Sequence, residues 1–499
     1  MFGIIIFFRA LFSVTVGLID DEAYHWSWSK DLMLSYYDHP GMIAWMNALS
    51  TKFFGDTLIG VRFASFVCYT ATVFMSYKLA NEIFDESAGI FVGLMLLFSP
   101  FWGFGGYVAS PEPPFMLCWV TAAWVFWQGV REDEKKWSTK KTWILLGIIM
   151  GLGLNSKFII ALLAPGFGLY LLLTKERRKD LLTPWPWVGM LIATAICLPI
   201  FLWNIEFDWP GFRYQFHDRH TGAEFSLARW LGWWAAQWMF TTPILYPLLI
   251  LSFVVGFQRI RQTSWRFILA LALPSIVMFY PQPLFADYKP HWSGPAYLFL
   301  MMGAGALYSK GYEWNYKTWI KPHSKRLRWT FILFLVPINI ILYSPFVYPF
   351  WPKVYRAFNP SGEWNTKWDL SNEFFGWDEL GDYVNRRQRE IHAETGKRPF
   401  IGALRYETTA QTYWGTKQKT YMLSFTKSHY TVVHQHRGEW EQNYGLDALI
   451  VTTEKYPTNP IEWGKFDSCS PEELKTYRHG EPSRTFTVWY CKNFQGILK

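Results

Sequence analysis

Asp20-Asp21-Glu22-Ala23-Tyr24-His25-Trp26-Ser27-Trp28-Ser29-Lys30, continued by Tyr36-Tyr37-Asp38-His39-Pro40-Gly41, crowds ionisable and aromatic residues directly behind the apolar run Phe2 to Ile19. Charge held at a membrane boundary is costly and is usually kept for function. Chemistry is therefore expected here first, and the fold turns on whether the rest of the chain reads as membrane-spanning.

Roughly twenty apolar residues cross a bilayer. On that measure spans are predicted near 2–19, 59–80, 88–105, 115–130, 142–155, 158–174, 186–203, 230–257, 265–281, 292–309 and 329–346. The mean hydropathy of +0.03 hides this pattern, because residues 346–499 are polar. Thirty tryptophans are many for a soluble chain, and Trp favours the membrane–water interface. The first run is broken by Arg9, and no small-residue cleavage site precedes Asp20. An uncleaved first helix, from a start codon placed late, is the expected reading.

Orientation follows from the basic residues. With the N-terminus inside, the inner connections hold 18 Lys and Arg and the outer ones 7, so the C-terminus is expected outside. That confinement to short loops also accounts for the net charge of +9 without nucleic acid. The long segments 20–58, 204–229 and 346–499 then all lie outside.

The predicted division is a transmembrane domain over 1–346, with its active loop at 20–58, and a periplasmic α/β domain over 347–499. In the latter, Trp377 to Lys397 reads as a helix with Leu380, Val384 and Ile391 on its apolar side, closed by Gly396. Strands are expected at 399–404, 446–451 and 485–490. Cys68, Cys118 and Cys197 lie in apolar runs and read as packing residues. Cys469 and Cys491 could pair if the tail is outside the cytoplasm, closing a loop worth about 3 kcal/mol.

No Walker motif is present, and Gly103-Phe104-Gly105-Gly106 fails the dinucleotide spacing. An enzyme acting outside would need an activated substrate delivered within the bilayer, and a polyprenyl-phosphate sugar meets that need.

Residues 21–26 and 36–40 closely resemble the first outer loop of integral-membrane glycosyltransferases of the GT-C fold. More narrowly they are similar to the branch of aminoarabinose and galacturonic acid transferases that modify lipid A, related to protein O-mannosyltransferases. Ser110-Pro111-Glu112-Pro113-Pro114, Gly151 to Phe158, Leu198 to Asn204 and Phe216 to His220 extend the resemblance over most of 18–310. It implies a mostly α, polytopic GT-C protein of about 11 transmembrane helices with a C-terminal soluble α/β domain.

The resemblance puts Asp21 at the essential carboxylate, the general base that takes the acceptor's proton. A single carboxylate without a covalent intermediate implies inversion at the anomeric carbon. A helix N-cap is the competing role, favoured for Asp20 but not for Asp21. Glu112 falls where relatives usually show Asp and is a second catalytic candidate. Lys157, His39, Arg219 and Lys289 are candidate donor-phosphate contacts; His39 replaces a Lys seen in some relatives. Asp38 and His220 could hold a divalent metal. Trp26, Trp28, Tyr36 and Tyr37 could stack on a sugar, though individually they read better as interface anchors.

The implied activity is inverting sugar transfer from a polyprenyl-phosphate donor to an envelope lipid or glycan, such as lipopolysaccharide, at the periplasmic face of the inner membrane. A protein-acceptor enzyme of the O-mannosyltransferase kind and a non-catalytic lipid-carrier transporter are the alternatives. The sequence names neither sugar, acceptor, carrier length nor oligomeric state.

Overall fold

A computed structural model describes residues 2–133, 136–218, 224–310, 312–314, 317–320 and 325–498. Its contacts divide into two units, Met1–Ala10, His39–Met46 and Arg62–Ile340 in one, Leu11–Asp38, Asn47–Val61 and Ile341–Lys499 in the other. The boundary differs from the predicted 346/347: residues 11–38 and 47–61 cluster with the tail. Gln411 Nε2 donates to Leu18 O at 2.8 Å, and Trp26 packs edge-on to Trp414 at 4.9 Å, so this stretch is held by the tail.

Helices run in the order α1 (Phe2–Ser13), α2 (Asp20–Trp28), α3 (Met42–Phe54), α4 (Leu58–Ile83), α5 (Glu86–Phe98), α6 (Pro100–Gly105), α7 (Glu112–Val130), α8 (Thr139–Leu154), α9 (Leu163–Leu173), α10 (Trp185–Ile196) and α11 (Leu198–Glu206). There follow α12 (Pro210–Arg213), α13 (Leu227–Thr241), α14 (Leu245–Gln258), α15 (Thr263–Phe279), α16 (Gly294–Lys310), the strand pair β1 (Tyr312–Trp314) and β2 (Lys317–Ile320), and α17 (Lys325–Val347).

Two described helices, Leu58–Ile83 and Thr263–Leu284, are long and apolar enough alone to cross a membrane, and up to five spans result if each bent pair counts as one. Among the described residues several of the eleven predicted runs are split into shorter helices by prolines and tight turns. The predicted span 230–257 is two helices, α13 and α14, bent by 106°. Thr242 precedes Pro243, a position that disfavours helix, and adopts φ 94° while its hydroxyl accepts the Leu245 N–H at 3.2 Å. The run 186–203 bends by 43° between α10 and α11 at Cys197, two residues before Pro199. The stretch 20–58, read as a loop, contains α2 and α3.

In the first unit α8 crosses α10 where side chains are absent: a Cβ on Gly147 would stand 2.4 Å from Gly189 O. Arg9, buried in α1, donates to Leu97 O and Gly103 O and, at 3.2 Å, to Asn339. These carbonyls lie on either side of the α5/α6 break, where helix ends leave acceptors free.

The second unit adds α18 (Trp351–Phe358), α19 (Trp377–Thr395), β3 (Phe400–Ala403), α20 (Tyr406–Thr416), β4 (Tyr421–Met422), α21 (His429–His436), β5 (Ala448–Thr453), β6 (Gly464–Lys465), β7 (Ser468–Arg478), β8 (Glu481–Lys492) and β9 (Gly496–Ile497). The main sheet has the order β4-β3-β5-β8-β7, with β3 parallel to β4 and β5 and the remaining pairs antiparallel. Alternation along β5 sends Leu449 and Val451 against Trp377, Leu380, Val384 and Ile391 of α19, and Ala448 and Ile450 to the opposite core. Gly396 closes α19 at φ 70°, a conformation few side chains tolerate. Cys469 and Cys491 face each other across β7 and β8 and are bonded.

Candidate active site

In the first unit three loops meet. Ser156 Oγ donates to Pro111 O at 2.7 Å, and Met42 N–H donates to Asn155 O at 2.9 Å. These bonds tie the start of α7 to the Asn155-Ser156-Lys157 turn and to the segment after His39. Lys157 is 7% exposed and forms an ion pair with Glu112 Oε1, which His291 Nε2 approaches at 3.6 Å. Burial pushes the Glu112 carboxyl up, but Lys157, His291 and His39 outweigh it and hold the group well below the usual carboxylate range. Glu112 therefore stays ionised and is a weak base.

Lys157 and His39 also line a cavity of about 440 Å3 whose other walls are mostly apolar, among them Leu154, Phe158, Leu162, Phe279 and Trp292. Its size suits a ligand of moderate bulk. Cations in an otherwise greasy cavity match an amphiphile with an anionic head. Lys289 is exposed and makes no ion pair among the described residues. His291, two residues on, reaches Glu112 instead, and reading the Asp287 to Trp292 stretch for its imidazole would have found it. Arg219 and His220 lie outside the described residues.

The second unit holds the acidic run. Glu22 is fully buried and accepts the Ile19 N–H at 3.1 Å, so it closes the start of its own helix. The cap position is Ile19, which corrects the cap role expected of Asp20: Asp20 and Asp21 lie inside the first turn. Negative charge is favourable there. Asp20 accepts from Gln411 Nε2 at 3.3 Å. Burial and the Glu373 carboxylate push its pKa up to about 6, against Arg484, Lys455 and the Gln411 bond. Asp21 is exposed.

Tyr24 OH donates to Asp38 Oδ2 at 2.6 Å and accepts the His429 N–H at 2.8 Å, which fixes the Asp38 carboxylate. The Tyr406 phenol is pushed up by burial, then by the fields of Asp21, Glu407, Asp38 and Asp20. Three acidic residues of the quoted stretch therefore act on one ring.

Trp26, Trp28, Tyr36 and Tyr37 are at most 3% exposed, which corrects their reading as interface anchors. Trp28 and Tyr36 stack at 4.4 Å between ring centroids, and Trp26 abuts Tyr413 and Trp414. Among the described residues no group of three or more His, Cys, Asp or Glu is placed to hold a metal.

Residues 38–203 match the family model described as dolichyl-phosphate-mannose-protein mannosyltransferase. The undecaprenyl phosphate-alpha-4-amino-4-deoxy-L-arabinose arabinosyl transferase of Pseudomonas savastanoi pv. phaseolicola is 29% identical over 258 residues, 48% of this chain and 46% of that protein. The lipid A galacturonosyltransferase RgtD of Rhizobium johnstonii is 23% identical over 56% of this chain and 58% of its own length. The chain thus spans about half the length of the curated relatives it matches. The crystal structure of ArnT from Cupriavidus metallidurans bound to undecaprenyl phosphate superposes with a TM-score of 0.63 at 14% identity, covering 98% of this chain and 96% of that one. The chain has the GT-C fold seen in ArnT, and its sequence resembles the lipid A-modifying branch of membrane glycosyltransferases, as the 20–41 stretch implied.

Proposed function

We propose that the protein is an inverting glycosyltransferase that moves a sugar from a polyprenyl-phosphate donor to an envelope lipid or glycan, with lipid A the favoured acceptor class. The observation that carries this is the largely apolar cavity with Lys157 and His39 in its wall, the pattern an isoprenoid phosphate requires. The names of the arabinosyl and galacturonosyl transferase relatives support the same reading.

In the proposed reaction Asp21 takes the proton of the acceptor hydroxyl while that oxygen bonds to the anomeric carbon. The bond from this carbon to the phosphate oxygen breaks, its electron pair leaves with the phosphate, and Lys157 and His39 meet the charge. One displacement inverts the anomeric centre. Glu112, kept ionised by its neighbours, holds Lys157 in place instead of acting as base. Arg219 and Lys289 remain proposed phosphate contacts, and Asp38 with His220 a proposed metal pair.

The enzyme is placed in the inner membrane with about eleven passages, its N-terminus cytoplasmic and residues 347–499 periplasmic. The bias of basic residues and the Cys469–Cys491 bond, suited to an oxidising compartment, support this placement. The match to a protein mannosyltransferase model keeps a protein hydroxyl as the second acceptor reading.

The test is Asp21→Asn in reconstituted protein, with lipid products read by mass spectrometry. Turnover should fall about 10²–10⁴-fold while polyprenyl-phosphate binding is kept. Turnover unchanged in the variant, or direct use of nucleotide sugars by the purified chain, overturns the proposal.

A further inference from the structure

A second cavity, of about 210 Å3, lies wholly in the second unit between α2 and α21. This is below the range of drug-sized pockets and suits one small polar group. Trp28, His429, Tyr430, His434 and Glu439 line it and are each no more than 7% exposed. Its exposed charged residues are Lys30, Asp31, Lys419 and Arg437.

Each of those cations is already matched by a carboxylate. Lys419 Nζ lies 2.9 Å from Glu439 Oε1, Arg437 pairs with Asp31, and Lys30 pairs with Asp56. An incoming anion would have to displace one of these carboxylates.

The buried lining has the opposite character. His429 Nδ1, His434 Nδ1 and the Trp28 indole N–H have no hydrogen-bond partner among the described residues. His434 Nε2 faces Glu439 Oε2 at 3.3 Å. Burial leads the causes that bring both imidazoles down to about 3, so each is neutral at pH 7 and offers one donor and one acceptor nitrogen. Buried polar groups without partners cost free energy that a matching ligand recovers. A hydroxyl both donates and accepts, so it can serve imidazole, carboxylate and indole alike. Tyr413, Tyr430 and Trp28 add aromatic surface for a C–H face.

We propose that this cavity is a saccharide subsite that takes a single hydroxyl-rich sugar ring of the acceptor glycan. Only the source of that ring rests on the glycosyltransferase reading.

The experiment is saturation-transfer NMR on the full chain in nanodiscs, with methyl α-D-glucopyranoside and N-acetylglucosamine as probes and inorganic phosphate as a comparison followed by 31P line width. At least one sugar should receive saturation. Val433→Phe, which fills the cavity from α21, should raise its Kd at least about tenfold. Should that variant not fold, Lys419→Ala on the exposed rim should raise Kd about threefold. Silence from both sugars, equal affinity in wild type and variant, or binding of phosphate alone overturns the subsite. Sugar binding here without transfer activity would sink the proposed function and leave the subsite standing, whereas transfer with no sugar bound would do the reverse.

Discussion

Asp20→Asn should stabilise the protein at alkaline pH and do nothing in acid. In the folded chain the Asp20 carboxyl is raised from 3.8 to about 6, chiefly by burial and by Glu373. A raised carboxyl favours the protonated folded form, so its contribution is fully present below about 3.8 and is lost as pH rises through about 6. The shift of about two units corresponds to at most about 3 kcal/mol at 1.36 kcal/mol per unit. Partial solvent access at Asp20 reduces this to about 1–2 kcal/mol. Asn keeps an oxygen for the Gln411 amide, so that bond survives. Thermal unfolding followed by tryptophan fluorescence should show Tm higher by about 1–2 °C at pH 8 for a chain of 499 residues, with the gap closing toward pH 4. A variant equal to wild type at pH 8, or stabilised equally at both pH values, would refute the placement of Asp20 among Glu373, Lys455 and Arg484.

Lys157→Met should weaken polyprenyl-phosphate binding by about 30-fold or more, read by competition with a labelled lipid phosphate. Adding Glu112→Gln should recover stability without recovering that affinity, and recovery of both would reduce Lys157 to a structural partner of Glu112. Cys469→Ser opens a bond between residues 22 apart, and chemical denaturation should report a loss of about 3 kcal/mol on the chain-entropy estimate. Chelation by EDTA, followed by added Mg2+ or Mn2+, tests the proposed Asp38 and His220 pair. Loss and recovery of turnover are expected, and turnover indifferent to chelator removes the metal from the proposal.

Much of this was legible locally. The apolar periodicity of α19 and the glycine at its end sufficed to place Trp377 to Gly396, because helix faces and caps are written within a few residues. Strand alternation did the same for β3, β5 and β8, while β7, α20 and α21 were missed. Several segments of α20 and α21 are buried without a clear period, as in Thr408 to Thr412 of α20. Periodicity alone cannot sort such a stretch.

By itself the chain determined that apolar runs dominate residues 1–345, that the polar tail is α/β, and that acidic residues follow the first run. These are properties of neighbours, and neighbours are what a sequence records. Only the tertiary structure decided that Lys157 meets Glu112 across 45 residues, that His291 joins them in place of Lys289, and that Glu22 caps its helix while Asp20 is held by α20. It likewise made core residues of Trp26 and Trp28. Burial and charge pairing between distant segments arise from how loops converge, and no local pattern encodes that convergence.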